Sequence, residues 1–135
     1  EDKSIAFPDF RLSNAVLCVT NKTKYLGHII TEDLSDDDDI YRQCRMLYAQ
    51  ANTLARKFGA CTDEVKVELF NAYCTSLYTA HLWSTYRKTN LQRLQVAYND
   101  ALRVLLKRPR WTGASEMFDT ARVHTLQAVF KKVNV

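Results

Sequence analysis

A run of apolar residues spaced three and four apart restricts the fold of this chain more than any other feature. Over residues 36–58 this spacing is that of one face of an amphipathic α-helix. The members of the apolar stripe are Ile40, Cys44, Leu47, Ala51, Leu54 and Phe58. The chain has only three Gly and two Pro in 135 residues, which suits long helices better than a β protein with many turns. The sequence therefore predicts a mainly helical protein.

A second long helix is predicted to begin after Thr62 and to run to about Trp83 or Tyr86. Its apolar residues cover much of its circumference, so we expect it to be central in the helical bundle.

A third long helix is expected from Thr89 or Asn90 to about Leu106, because Pro109 stops it. One or two short helices follow, over 116–122 and from about His124. The predicted architecture is thus a bundle of three long helices with short helices at its carboxyl end.

Residues 1–34 have a different pattern, typical of a small antiparallel β element of two or three strands. The predicted strands are 3–7, 15–19 and 24–30, with a polar turn at 20–23. Gly27 interrupts the third strand and marks a bulge, a close approach of another backbone or a simple packing need. We therefore divide the chain into a β element at 1–34 and a helical bundle at 35–135.

Four consecutive aspartates, Asp36–Asp39, suggest a metal site at first sight. Consecutive residues on a helix point in different directions, and no calcium-loop pattern surrounds them. We interpret the run as a helix start with Ser35 as the N-cap, where the helix dipole favours negative charge.

Charge is divided unequally along the chain. Residues 1–40 contain nine acids and four bases, for a net charge of −5, whereas residues 41–135 contain fifteen bases and six acids, for +9. A basic helical domain is a reasonable partner for phosphate backbones, although a solvated basic surface gives the same count. No run of about 18 apolar residues occurs, so neither a membrane-spanning helix nor a membrane partner is expected.

The four cysteines, Cys18, Cys44, Cys61 and Cys74, form no CxxC pair and favour free thiols in a reducing compartment. No phosphate-binding glycine loop, GxSxG or HExxH motif is present, so the residues indicate neither catalysis nor a small-molecule substrate.

The segment 24–30, KYLGHII, resembles the motif E strand, or primer grip, of reverse transcriptases from non-LTR (LINE-type) retrotransposons. Other segments resemble the same family in the same order. They are Lys3–Phe7 for the end of motif D, and Val65–Tyr73, Leu82–Trp83, Leu94–Arg103 and Ala114–Phe118 for the thumb. The resemblance covers some 120 residues and implies the palm end and thumb of a polymerase.

The resemblance implies that the catalytic aspartates lie upstream of Glu1, so this chain alone is expected to be inactive. It implies no cofactor for this chain, while the parent RNA-directed DNA polymerase would use Mg²⁺. Lys3 corresponds in position to the motif D lysine, but the upstream half of that motif is missing. Because both ends fall inside family elements, we interpret the chain as a fragment, or an independently used remnant, of a larger polyprotein.

The implied role is to hold an RNA/DNA template–primer duplex through backbone contacts, beside the palm and fingers of the parent protein. An intracellular location, in cytoplasm and nucleus, follows from it. Lys66 is the strongest candidate, as a single cation beside an apolar surface. The candidate binding residues are Tyr25, Leu26, Gly27, Arg42, Arg45, Lys66, Arg103, Lys107, Arg108 and Arg110. The alternatives are a helical protein-interaction module and a co-opted retrotransposon-derived protein without polymerase activity.

Overall fold

Two β-hairpins precede five α-helices in a computed structural model that describes residues 8–133. The strands are β1 (Arg11–Leu12), β2 (Ala15–Val16), β3 (Lys22–Tyr25) and β4 (His28–Thr31). The helices are α1 (Asp37–Lys57), α2 (Asp63–Tyr73), α3 (Lys88–Leu105), α4 (Ala114–Ala121) and α5 (Leu126–Val133), with a 3₁₀ turn at Ala80–Leu82. The predicted fold class, mostly α with a small antiparallel β element at the amino end, is confirmed. The strand predicted at 3–7 lies outside the described residues.

The segment 24–30 forms a hairpin turn, so the prediction of one continuous strand there was wrong. Tyr25 pairs with His28, and the two residues between them both have positive φ, 46° at Leu26 and 83° at Gly27. Two-residue hairpin turns favour this combination because it matches the twist of the strands. No atom lies within 4 Å of the position that a Cβ on Gly27 would take, so its conformation, and not a close contact within the chain, favours glycine.

The first hairpin also differs from the prediction. The strand expected over 15–19 is limited to β2, which pairs with β1 through Arg11↔Val16 and Leu12↔Ala15. The expected turn at 20–23 overlaps the start of β3, because Lys22 and Thr23 pair with Thr31 and Ile30.

Helices α1 and α3 run parallel to each other, and the predicted apolar stripe of α1 is buried against α3. The backbone N–H of Arg87 donates to Asp37 (2.9 Å) at the amino ends, and the Tyr48 hydroxyl donates to Asp100 (3.3 Å) further along. The stripe of α1 is buried from Ile40 to Leu54, as predicted. The carboxyl ends therefore lie at the same end of the bundle.

Helix α3 is the central element, so the prediction that the second helix would be central was wrong. Leu94, Tyr98 and Leu102 have no exposed surface, and the Tyr98 hydroxyl donates to the carbonyl of His124 (2.9 Å). The Tyr98 ring contacts Phe70 of α2 edge-on and stacks on Phe118 of α4, at centroid distances of 5.2 and 5.8 Å. One side chain thus joins α3 to three other parts of the bundle.

Helix α2 ends at Tyr73, about ten residues before the predicted end. The Thr75 hydroxyl donates to the carbonyl of Asn71 (2.6 Å), a local hydrogen bond that competes with continued helix. The apolar residues that follow Tyr73 in the sequence belong to an irregular segment over 74–87. That segment packs its 3₁₀ turn against α5.

The aspartate run contains the main polar contact of the fold. Asp39 is fully buried and accepts hydrogen bonds from the Thr79 hydroxyl, the Trp83 indole N–H and the Arg42 Nε, each at 2.8 Å. It also accepts from the backbone N–H of Ile29 in β4 (3.2 Å). One carboxylate therefore connects α1, the second hairpin and the 74–87 segment.

Asp36 and His28 extend the same cluster. Asp36 is the N-cap in place of the predicted Ser35, and its Oδ2 accepts the backbone N–H groups of Ser84 (2.7 Å) and Thr85 (2.8 Å). The His28 ring lies between the two carboxylates, with Nε2 at 3.4 Å from Asp36 and Nδ1 at 3.1 Å from Asp39. The run starts a helix as predicted, but two of its four carboxylates face inward and organise neighbouring segments.

The four cysteines are free, as expected from their spacing. Cys44 and Cys74 are buried in the core, whereas Cys18 is exposed. Burial raises the pKa of the Cys74 thiol to about 11, so this thiol is un-ionised and unreactive at neutral pH.

We predict that Asp39→Asn lowers the free energy of unfolding by about 3 kcal/mol, the lower end of the range for breaking a buried charge pair. The substitution places an amide N–H₂ among groups that all donate hydrogen bonds. Urea titration followed by circular dichroism measures the effect. Asp38→Asn is the matched control, since Asp38 is half-exposed and its carboxylate lies 3.5 Å from the exposed ammonium of Lys22. A loss at Asp38 as large as that at Asp39 would contradict the assignment.

The carboxylate of Asp39 is also expected to make the free energy of unfolding depend on pH. Burial raises the pKa of Asp39, but hydrogen bonds from Arg42, Trp83 and Thr79 outweigh it and hold the pKa below its usual value. A depressed folded-state pKa adds stability that is present above about pH 4 and fades as pH falls through the folded value. The stability difference between wild type and Asp39→Asn should therefore narrow between about pH 5 and pH 2. A constant difference across that range would refute this linkage.

Gly27→Ala is expected to destabilise the second hairpin by about 1 kcal/mol, because a residue with a Cβ is strained at positive φ. Gly27→Asn is the matched control, because asparagine tolerates a positive φ and is common in two-residue hairpin turns. Thermal unfolding of the two variants provides the measurement. Equal midpoints for both variants would contradict this explanation.

Candidate nucleic-acid interface

The residues predicted to bind nucleic acid fall into separate regions of the structure. Tyr25, Leu26 and Gly27 form the tip of the second hairpin, where Tyr25 is 64% and Leu26 75% exposed. The hairpin contacts the amino end of α1 through Asp39. The tip therefore presents an aromatic and an aliphatic side chain to solvent at the acidic end of the bundle.

Three of the seven predicted cations are held in contacts within the chain. Arg42 donates to buried Asp39, and Arg103 donates to Asp100 (2.8 Å) and to the carbonyl of Thr112 (3.1 Å). Lys66 is 5% exposed, with its Nζ 3.5 Å from Asp63. Its ammonium is therefore not open to a phosphate group, although it was the strongest candidate by sequence. The lone cation on an apolar surface is a packed residue of α2.

The other four predicted cations, Arg45, Lys107, Arg108 and Arg110, are exposed. Arg108 contacts Asp63 at 3.4 Å and remains half-exposed. Within residues 8–133, Arg45, Lys107 and Arg110 make no ion pair. These three side chains are free to contact an anionic partner.

Five exposed cations lie where α1 and α3 end. Arg56 and Lys57 occupy the last turn of α1, and the residues after α3 follow beside them. A Cβ placed on Gly59 would lie 3.5 Å from Lys107 Nζ, which shows that the two helix ends adjoin. We call this group the basic end, and it consists of Arg56, Lys57, Lys107, Arg108 and Arg110.

The carboxyl ends of two parallel helices account for part of this clustering. Each helix has a partial negative charge at its carboxyl end, which stabilises nearby cations. Arg56 and Lys57 were absent from the predicted site, although both are basic residues in the last turn of α1. Because α1 and α3 are parallel, their carboxyl ends lie side by side, which places Arg56 and Lys57 next to the predicted cations. The spacing of residues along the sequence does not indicate the direction of a helix in space.

Helix α1 extends the cationic surface along one side. Arg45 and Arg56 are 11 residues apart, which is about three turns, so they lie on the same face about 16 Å apart. Tyr48 lies along this helix and donates to Asp100. Burial raises the pKa of Tyr48, the charge of Asp100 raises it further, and nearby Arg110 acts in the opposite direction. The charge of Arg110 therefore lies close enough to α1 to act on Tyr48.

The hairpin tip and the basic end lie at opposite ends of α1. The 21 residues of this helix give a length of about 31 Å. The structure thus brings Lys107, Arg108 and Arg110 together but keeps them apart from Tyr25 and Leu26. Only an extended ligand that follows α1 would contact both regions.

An open groove of about 910 Å³ lies beside the basic end, between α2 and α4. Val67 and Met117 contribute apolar surface, and Trp111 lines it from the linker between α3 and α4. Its exposed charged residues are four acids, Asp63, Glu64, Glu68 and Glu116, and two bases, Arg108 and Arg122. The groove is therefore partly apolar and carries acidic groups, in contrast to the adjoining basic end.

Comparisons with protein-family models, curated proteins and solved structures find no significant match to this chain. Among the helices that the structure describes, none combines the length and the apolar character required to cross a membrane.

Proposed function

We propose that the chain is a non-catalytic, thumb-like part of an RNA-directed DNA polymerase that holds an RNA/DNA duplex through its phosphate backbone. The observation that carries the proposal is the basic end, where five exposed cations from the last turn of α1 and from the linker after α3 lie together. The ordered resemblance to non-LTR reverse transcriptases provides the polymerase context. This origin also implies an intracellular location, in cytoplasm and nucleus.

Phosphate contacts suit a module that must hold a moving duplex of any sequence. Lys and Arg contacts to phosphates position a duplex without reading its bases, and they release condensed counterions. Arg45 and Arg56 on one face of α1 would extend these contacts from the basic end along the duplex. Arg42, Lys66 and Arg103 are left out of the proposed contact set because intrachain partners hold them.

The hairpin tip has a separate role in this proposal. Tyr25 and Leu26 would lie near the primer terminus, and Gly27 would shape the turn that presents them. The contacts of Asp39 with β4 fix the hairpin against α1, so the tip has a defined position relative to the bundle. Nucleotidyl transfer and the Mg²⁺ that it uses would belong to the parent polymerase.

A protein-interaction module is the second candidate, and a specific observation favours it. All residues from Pro8 to Leu26 are exposed, including the large apolar side chains of Phe10, Leu12 and Val16. An exposed apolar hairpin of this kind is typical of a surface that contacts another protein. In the polymerase proposal, this partner is the palm and fingers of the parent polyprotein. In the alternative, it is an unrelated protein contacted by a co-opted remnant without polymerase activity.

Neutralising the basic end is predicted to weaken duplex binding and its salt dependence. The test variant combines Arg56→Gln, Lys107→Gln and Arg110→Gln. If all three contact phosphates, the slope of log affinity against log salt becomes shallower by about 2.7, at about 0.9 for each phosphate contact. Fluorescence anisotropy with a labelled RNA–DNA hybrid at a series of salt concentrations measures the slope.

The matched control removes three charges elsewhere, through Lys88→Gln, Arg93→Gln and Lys131→Gln, which are exposed and remote from the basic end. Equal slopes for the two triple variants would show that only net charge matters and would contradict the proposed surface. Absence of binding at low salt, together with self-association that ignores salt, would favour the protein-interaction alternative.

A further inference from the structure

Trp111 has no role in the proposed phosphate contacts, yet it is the most exposed large apolar side chain of the described residues, at 87%. Indole rings contribute large apolar areas when they are covered, so one left in water is a frequent anchor for a binding partner. Its position next to Arg110 places it at the margin of the basic end.

The linker that carries Trp111 has a fixed backbone. The Arg103 guanidinium donates to the carbonyl of Thr112 through Nε (3.3 Å) and Nη2 (3.1 Å), and Asp100 holds the same guanidinium. The backbone N–H of Thr112 donates to the carbonyl of Pro109 (3.1 Å). A backbone that is already fixed before binding loses less entropy when a ligand binds. The linker therefore supports the Trp111 indole at the surface in the absence of a ligand.

Charge on the two sides of Trp111 differs in sign. Lys107 and Arg110 lie on the side of the basic end. The groove on the other side is lined by four exposed carboxylates, Asp63, Glu64, Glu68 and Glu116, and by two exposed cations, Arg108 and Arg122, so its net charge is negative. A phosphodiester chain is attracted to the first side and repelled by the second. A strand with its phosphates at the basic end would therefore direct its bases towards Trp111 and the groove.

We propose that Trp111 stacks on an unpaired base of a nucleic-acid strand whose phosphates contact Lys107 and Arg110. This inference rests on the proposed function and names its substrate class. Bases inside a duplex are covered on both faces by their neighbours, whereas unpaired bases expose a face to aromatic side chains. The ligand is thus a hybrid with a single-stranded extension, in preference to a blunt duplex.

The test compares two labelled RNA–DNA hybrids that differ only in a four-nucleotide single-stranded RNA extension. Wild type is expected to bind the extended hybrid more tightly than the blunt one. Trp111→Ala should weaken binding of the extended hybrid by about fivefold to 150-fold, the range for loss of one base stack, and leave the blunt hybrid unchanged. Trp111→Phe should retain most of the preference because it keeps an aromatic face.

Several outcomes separate this inference from the proposed function. If wild type binds both hybrids and Trp111→Ala weakens neither, or both equally, stacking is refuted while duplex binding stands. If wild type binds neither hybrid at low salt, both proposals are refuted. Capture of a Lys/Arg-rich peptide that depends on Trp111, with no effect of Trp111 on either hybrid, would also refute stacking and assign the acidic groove to a protein partner. Thermal unfolding of the variants checks that the exposed substitutions leave the fold intact.

Discussion

The buried carboxylate of Asp39 is the interaction on which the arrangement of this chain depends. A charged group without exposed surface is costly unless hydrogen bonds surround it, and here Thr79, Trp83 and Arg42 provide them. These donors lie up to 44 residues away along the chain. The need to satisfy one carboxylate therefore determines where the irregular segment over 74–87 and the second hairpin lie relative to α1.

The helical part of the fold could be predicted from the sequence because the spacing of apolar residues indicates directly which side of a helix is buried. The stripes of α1 and α3 are in the core, and both helices begin and end within a few residues of the expected positions. The length of α2 could not be predicted, because apolar residues continue past Tyr73 although the helix ends there. Leu77 and Ala80 are buried, but periodicity cannot show that they reach the core from an irregular segment.

The candidate site could be predicted only in part, since a side chain's charge is visible in sequence but its partner is not. Lys66 and Arg45 are both cations on amphipathic helices, yet one is buried beside Asp63 and the other is exposed. The four aspartates show the same limit, because Asp39 faces inward while Asp38 is half-exposed. Local sequence patterns identified the helices. Contacts between residues that are distant in sequence determine which charged side chains remain exposed to a binding partner.

The parallel arrangement of α1 and α3 has a consequence for how the molecule meets other charged molecules. Two helix dipoles point the same way, and the fixed charges of α1 add to them, with Asp37–Asp39 in its first turn and Arg56 and Lys57 in its last. The charges of α1 and the two parallel helix dipoles therefore contribute an electric dipole along the bundle axis. In the field of a polyanion, the molecule would rotate before contact so that the basic end faces the polyanion. Productive collisions would then be more frequent than they are for randomly oriented molecules.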